Sequence, residues 1–285
     1  MRSIRDFRRA SLGLLAATVL LAAAQVSQPA AAQIPADEVL KNFEIVGDYE
    51  FELAGETLKH AEIYYSQRAV AYLVMAPALE SPLMISPRSR AVESVHLMSV
   101  LKRDDGTVDI LADAQLEPVG PFELDGTEVR FALAGDTARL KPKPWLLGLR
   151  SGDELGKHNP EYAVKAAQYV PNGAHVERLR ALAGDVRVRV YFGSWCPVCK
   201  RYVPAVMRLE KALAGSSIEL EYYGLPQPMT EDPESERAGV HGVPTAVVFV
   251  DGKQVGQLSG QELAAPEAAL IALLDAPREA RGKAP

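Results

Sequence analysis

The chain of 285 residues holds two cysteines, Cys196 and Cys199, and they stand three positions apart in the stretch YFGSWCPVC. A structural disulfide stabilises mainly by closing a loop in the unfolded chain, and the effect grows with loop length. This pair closes almost nothing, so its use must be chemical. One nucleophilic thiolate and one resolving thiol suffice for thiol–disulfide exchange. Metal binding is the rival use of two thiols. Zinc takes four ligands, usually with a second pair at short spacing. His60, His96, His158, His175 and His241 are scattered along the chain and none are paired. Soft thiolates suit Cu(I), so two thiols with one histidine leave a copper-handling role open.

The flanking sequence places the pair at a junction of two elements. Val186 to Phe192 alternates and then turns fully apolar, as a strand entering a sheet core does. Gly193 and Ser194 turn the chain, and Cys196 opens a helix. Pro197 falls at an early helical position, where its missing N–H is no loss. Val203, Val206, Leu209 and Leu213 step by three, three and four, which predicts one buried helix face. A thiol at a helix start meets unpaired N–H groups and the positive end of the dipole. Both favour thiolate and can bring the pKa from about 8.5 to below 7. Cys199, almost one turn further in, is expected to be less exposed and to resolve a mixed disulfide on Cys196.

After the helix, Ile218 to Tyr223 reads as a strand. Thr245 to Val250 and Gln254 to Ser259 read as strands joined by Asp251-Gly252-Lys253, and Ala264 to Leu274 as a closing helix. Between them lies YGLPQPMTEDPESERAGVH (223–241). Its Glu231, Asp232, Glu234 and Glu236 predict a solvated face and a helix start, or a surface that tunes partner choice. The order β-α-β, polar insertion, β-β-α predicts an α/β layer arrangement.

Trp195-Cys196-Pro197-Val198-Cys199-Lys200, with Pro204 in the next helix and Gly242-Val243-Pro244-Thr245 before the next strand, resembles the thioredoxin family over about residues 180–275. The SWCPVC form is most similar to TlpA-like and cytochrome-c-maturation periplasmic thioredoxins, which act mainly as reductants. The resemblance implies that Pro244 is a cis-proline facing Cys196 and that the Val243 backbone pairs with an extended substrate segment. Trp195 reads first as a packing residue, and an exposed aromatic there could contact partners. Relatives place a buried acid six residues before or six residues after the first cysteine. Here those positions are Val190 and Tyr202. His241, three residues before Pro244, is the nearest side chain in sequence that could accept the proton of Cys199. The other reading of His241 is a solvated loop residue.

The first 32 residues differ from the rest. MRSIRDFRRA carries four arginines, SLGLLAATVLLAAA is apolar, and QVSQPAAAQ ends in small residues. This is the pattern of a secretory signal peptide (1–32) cut after Ala32, with an uncleaved signal-anchor as the alternative. The apolar run falls short of the about 20 residues of a comfortable span. Arg8-Arg9 is a weak twin-arginine match. The expected location is therefore a periplasm. There no reducing cytosol keeps thiols reduced, so a membrane or periplasmic electron donor or acceptor is implied. The net charge is −6; losing four arginines and Asp6 with the peptide leaves −9, with no basic stripe. Nucleic-acid binding is excluded on that balance.

Residues 33–144 predict a β-rich N-terminal domain. Strand-like runs cover 61–65, 69–74, 95–100 and 107–110, the last two flanking an Asp105-Gly106 turn. Val129 to Leu133 and Thr137 to Leu140 flank a second turn at Ala134-Gly135-Asp136. FELAG (51–55) and FELDG (122–126) read as two similar turns. Lys141-Pro142-Lys143-Pro144 ends the region, because prolines cannot sit in a central strand. Residues 145–180 predict a helical connector, 181–275 the thioredoxin-like domain, and 276–285 a flexible tail.

The expectation is an α/β protein: a thioredoxin-like domain at the C-terminus preceded by a smaller β-rich domain. Its function would be disulfide exchange with partner proteins, as a reductant. Cys196 and Cys199 would be catalytic, Val243, Pro244 and Trp195 would position the substrate, and no metal or cofactor beyond the redox-active disulfide is called for. The alternatives are copper handling, and a chaperone or binding module that recognises its partners through the β-rich domain. Oligomeric state does not follow from these patterns.

Overall fold

The computed structural model describes residues 40–276. The expected signal peptide, and the expected tail beyond residue 276, lie outside the described residues.

Ten strands between Glu44 and Pro142 form one sheet with antiparallel neighbours throughout. The strands Glu62–Ser66, Ala71–Met75, Leu83–Ser86 and Ala91–Val95 follow one another as a meander. Successive strand side chains point to opposite faces, and here both faces are covered. Ile63, Val74, Ile85 and Val92 join Phe51, Phe122, Phe131 and Leu140 in one core. Tyr64, Leu73, Met84 and Val95 pack on the other side under Phe43, Val108 and Ile110. The long strand Leu116–Asp125 pairs with Ala91–Val95 in its first part and with Glu128–Leu133 in its second, with a register shift between Pro118 and Gly120. A bulge bends a strand, which lets side chains from both parts of the sheet share the first core.

The second hairpin lies where expected, Glu128–Leu133 against Asp136–Pro142. Ala134 and Gly135 both take positive φ, 53° and 93°, the conformation of a two-residue primed turn. The first hairpin is shorter than the sequence pattern suggests. Val95 ends its strand, Leu97–Ser99 forms a 3₁₀ turn, and only Val100–Lys102 pairs with Val108–Ile110. The cause is local: His96 Nδ1 accepts from the Met98 N–H at 3.3 Å, and such side-chain bonds compete with a strand. Pro142 is the last residue of its strand, opposite Tyr49. The β-rich region precedes the C-terminal α/β part of the chain, as expected. Two-residue strands such as Glu44–Ile45 and Glu56–Thr57 show no readable alternation, yet they extend the sheet at its two edges.

The C-terminal sheet has five strands in the order Gly148–Arg150, Ile218–Gly224, Val186–Phe192, Thr245–Val250, Lys253–Ser259. Val186–Phe192 is parallel to Ile218–Gly224; the other pairs are antiparallel. Residues 145–180 do more than connect. Gly148–Arg150 is an edge strand of this sheet. The helices Gly152–His158, Pro160–Gln168 and Gly173–Arg180 place Leu155, Tyr162, Ala166, Val176 and Leu179 in its core. The helices Pro197–Ala212 and Pro266–Asp275 add Cys199, Val203, Val206, Leu209 and Leu270 to the same core. Tyr191 and Val247 look to the opposite face, under Leu225 and Val240.

Gly152–His158 starts with a capping box, Ser151 Oγ accepting from Glu154 N–H at 3.3 Å and the Glu154 carboxylate accepting from Ser151 N–H at 2.8 Å. Replacing Ser151 by alanine is expected to lower stability by about 1 kcal/mol. Urea unfolding would then show a lower midpoint at unchanged slope.

Candidate functional site

The strand Val186–Phe192 carries the chain to the site, with Val186, Val188, Val190 and Phe192 buried on the helix side. Gly193 follows in a space that admits no side chain: a Cβ there would lie 2.5 Å from the Trp195 ring. That closeness fixes the ring, whose Nε1–H donates to the Leu225 carbonyl at 3.0 Å. Ser194 Oγ accepts from the Leu146 N–H at 3.1 Å, so residues ahead of the edge strand also brace the turn.

Cys196 is the N-cap of the helix Pro197–Ala212, and its sulfur accepts the Cys199 N–H at 3.4 Å. Cys199 Sγ accepts the Gly193 N–H at 3.5 Å. Both cysteines are free thiols; Cys199 is fully buried and Cys196 is 6% exposed. The Cys196 thiol points at the Val243 carbonyl, 3.6 Å away. The Val243–Pro244 peptide bond is cis, and Pro244 is buried beside the start of the strand Thr245–Val250.

The two thiols are electrostatically unlike. The Cys199 thiol donates toward Cys196, and the amides of Cys199 and Val198 and the charge of Lys200 act the same way. Together they outweigh burial and bring the Cys196 pKa down to about 6. Cys199 goes the other way, pushed up by burial and then by its hydrogen bond to Cys196. Such a pair separates the roles, since the group ionised at neutral pH attacks and the protonated one waits.

Trp195, Cys196, Cys199, Val243 and Pro244 therefore come together. His241 does not join them: it is exposed, and among the described residues it makes no hydrogen bond to either thiol. Val190 is fully buried and Tyr202 packs against the same core, so neither position offers a carboxylate. Among the described residues, no group of three or more His, Cys, Asp or Glu side chains is placed to hold a metal ion.

Two neighbours went unread in the sequence. Lys200 is paired with Asp48, from the turn that enters the strand Tyr49–Leu53 of the β-rich region. Tyr162, in the helix Pro160–Gln168, shares the core of both cysteines and is 2% exposed. Asp48 lies 152 positions from Lys200, and no spacing signals that contact. Tyr162 fell inside the segment 145–180 expected as a helical connector, and its place in the core was missing from that reading.

The Thioredoxin family model matches residues 173–276. Solved structures similar to part of the chain include a mutant thioredoxin from Halobacterium salinarum, at 23% identity over 38% of this chain and 91% of that one, with a TM-score of 0.26. Fasciola hepatica thioredoxin is 28% identical over 31% of this chain and 77% of its own, with a TM-score of 0.25. Trxlp from Edwardsiella tarda is 21% identical over 36% and 95%, with a TM-score of 0.27. No curated protein matches the chain.

Proposed function

Starting from a thioredoxin domain at residues 173–276 that carries the Cys196–Cys199 pair, we propose that this protein is an exported thiol–disulfide oxidoreductase that reduces disulfides of partner proteins. The single observation that carries the reading is the placement of two free thiols at one helix start, Cys196 capping the helix and Cys199 buried beneath it with its N–H donating to the Cys196 sulfur. Cys196 attacks a substrate sulfur as thiolate, the substrate's other sulfur leaves and takes a proton, and a mixed disulfide remains. Cys199 then bonds to the Cys196 sulfur and releases the second substrate thiol. The Val243 backbone, within 3.6 Å of Cys196, pairs with the extended substrate segment, and the Trp195 ring borders it. A membrane or periplasmic donor returns two electrons to the Cys196–Cys199 disulfide.

A thiolate stabilised only moderately supports the reducing direction. Thioredoxin, with its thiol near pKa 7, sits at about −270 mV, and DsbA, near 3.5, at about −120 mV. A Cys196 pKa of about 6 lies nearer the first. Equilibration with glutathione is expected to give a potential below about −200 mV; a value near about −120 mV would reverse the direction. Export rests on the basic, apolar and small-residue order of residues 1–32. Mass spectrometry of secreted material is expected to find an N-terminus at Gln33, and an intact Met1 in that fraction contradicts cleavage.

A further inference from the structure

Cys196 stands at one end of the five-stranded sheet, and the strand register shows what flanks it there. Phe192 lies opposite Gly224, Gly224 opposite Gly148, and Tyr191 opposite Thr245. The cis peptide Val243–Pro244, just before Thr245, therefore adjoins the active-site turn on one side. The segment 145–149 enters the sheet on the other, ahead of the residues 173–276 that match the family model.

The backbone of this segment is locked against the turn. Leu146 N–H donates to Ser194 Oγ at 3.1 Å, two residues before Cys196. The Leu146 carbonyl lies over Gly224, where a Cβ would collide with it, and the Leu147 Cα follows at 3.3 Å from that position. The next residue, Leu225, accepts the Trp195 Nε1–H. The apolar side chains are nevertheless left to solvent. Trp145, Leu147 and Leu149 are 44%, 45% and 54% exposed, while Leu146 packs on the core. Val198, between the two cysteines, is 44% exposed as well. Among the described residues no strand pairs with the outer edge of Gly148–Arg150. Single exposed apolar residues are ordinary, but three in one locked run at a sheet edge mark an interaction surface.

What covers the run follows from where it lies. A substrate chain that reaches Cys196 and pairs with Val243 crosses this end of the sheet. Strands stand about 4.8 Å apart, so Gly148 is about 10 Å from Phe192, two strands away. An extended chain advances about 3.3 Å per residue, which brings residues about three to five positions from the substrate's half-cystine over the run. A free edge pairs with extended backbone, and the exposed side chains favour apolar partners.

We propose that the segment 145–149 is a docking strip for substrate proteins. It selects extended segments with large apolar side chains about three to five residues from the disulfide. The inference rests on the oxidoreductase reading and adds a substrate class to it.

The test uses the reduced full chain and two disulfide-linked reporter peptides in rapid mixing. They differ only at the third to fifth positions from the half-cystine, leucine and valine in one, serine and asparagine in the other. Wild type is expected to reach its half-maximal rate at an about tenfold lower concentration of the apolar peptide, with the same maximal rate for both. That is the order expected from burying one or two apolar side chains. Leu147→Ser combined with Leu149→Ser, and separately Trp145→Ser, should remove most of this preference at an unchanged unfolding temperature, because the side chains are exposed. Equal treatment of the two peptides by wild type overturns the proposal, and so does full preference in the variants. Slowing of both peptides alike with a lowered unfolding temperature overturns it too, since the segment would then only brace the turn. A dimer in sedimentation that the variants dissociate assigns the strip to a second copy instead. Reduction of neither peptide by wild type removes the oxidoreductase reading, and this proposal with it.

Discussion

Cys199→Ala will hold partner proteins in covalent complexes that reductant releases, and Cys196→Ala will hold none. Cys196 is the sulfur at the helix start, aimed at the Val243 carbonyl, and Cys199 is sealed beneath it. Removing the resolver stops exchange after the first bond; removing the nucleophile stops it before. Turnover falls by more than about a thousandfold in each variant, because the pair acts as a unit. The difference appears on non-reducing gels of purified variant mixed with oxidised substrate proteins. Equal trapping by both variants, or trapping by neither, contradicts the division of roles. The comparison is best run above pH 8. The Cys199 thiol makes the largest contribution to lowering the Cys196 pKa, so the alanine variant attacks more slowly near neutrality.

The second large effect is on protonation. Thiolate absorbance at 240 nm is expected to titrate near pH 6 in the reduced protein, and at a clearly higher pH in Cys199→Ala. The same shift sets a stability profile. An acid whose pKa is depressed on folding adds stability that is complete above its unfolded value and lost as pH falls through the folded one. For Cys196 that window runs from about 6 to the thiol reference of 9.0. Cys199, raised by burial, stays protonated in folded and unfolded chains across most of this window and opposes folding only near and above 9.0. Reduced protein should therefore unfold at rising temperature between pH 6 and 9, and Cys196→Ser should flatten the rise. A profile that falls with pH would contradict the assigned sign.

The centre of the site could be read from the sequence because its chemistry is local. Strand, turn, nucleophile and resolver occupy 14 consecutive positions from Val186 to Cys199, and each leaves a mark of residue type or period. Val243 and Pro244 came from family resemblance, since their approach to Cys196 spans 47 positions. What stayed hidden was either long-range or short. The strand Gly148–Arg150 has three residues, and its partner Tyr222–Gly224 lies far along the chain. The helix Gly152–His158 contains two glycines and buries only Gly152 and Leu155, so no apolar period marks it. Its capping box, Ser151 with Glu154, was the signal that could have revealed it. His241 was chosen for nearness in sequence, while Tyr162 and Asp48 are brought to the site by packing.

The edge strand Gly148–Arg150 also defines how small a working piece of this protein can be. A fragment cut at the family boundary, residue 173, would leave the Ile218–Gly224 strand with an unpaired edge and remove Leu155, Tyr162 and Ala166 from the core. Exposed strand edges recruit other chains. The smallest piece that keeps this sheet and core whole therefore begins upstream of Gly148, and any graft of the thiol pair onto another protein has to carry that segment with it.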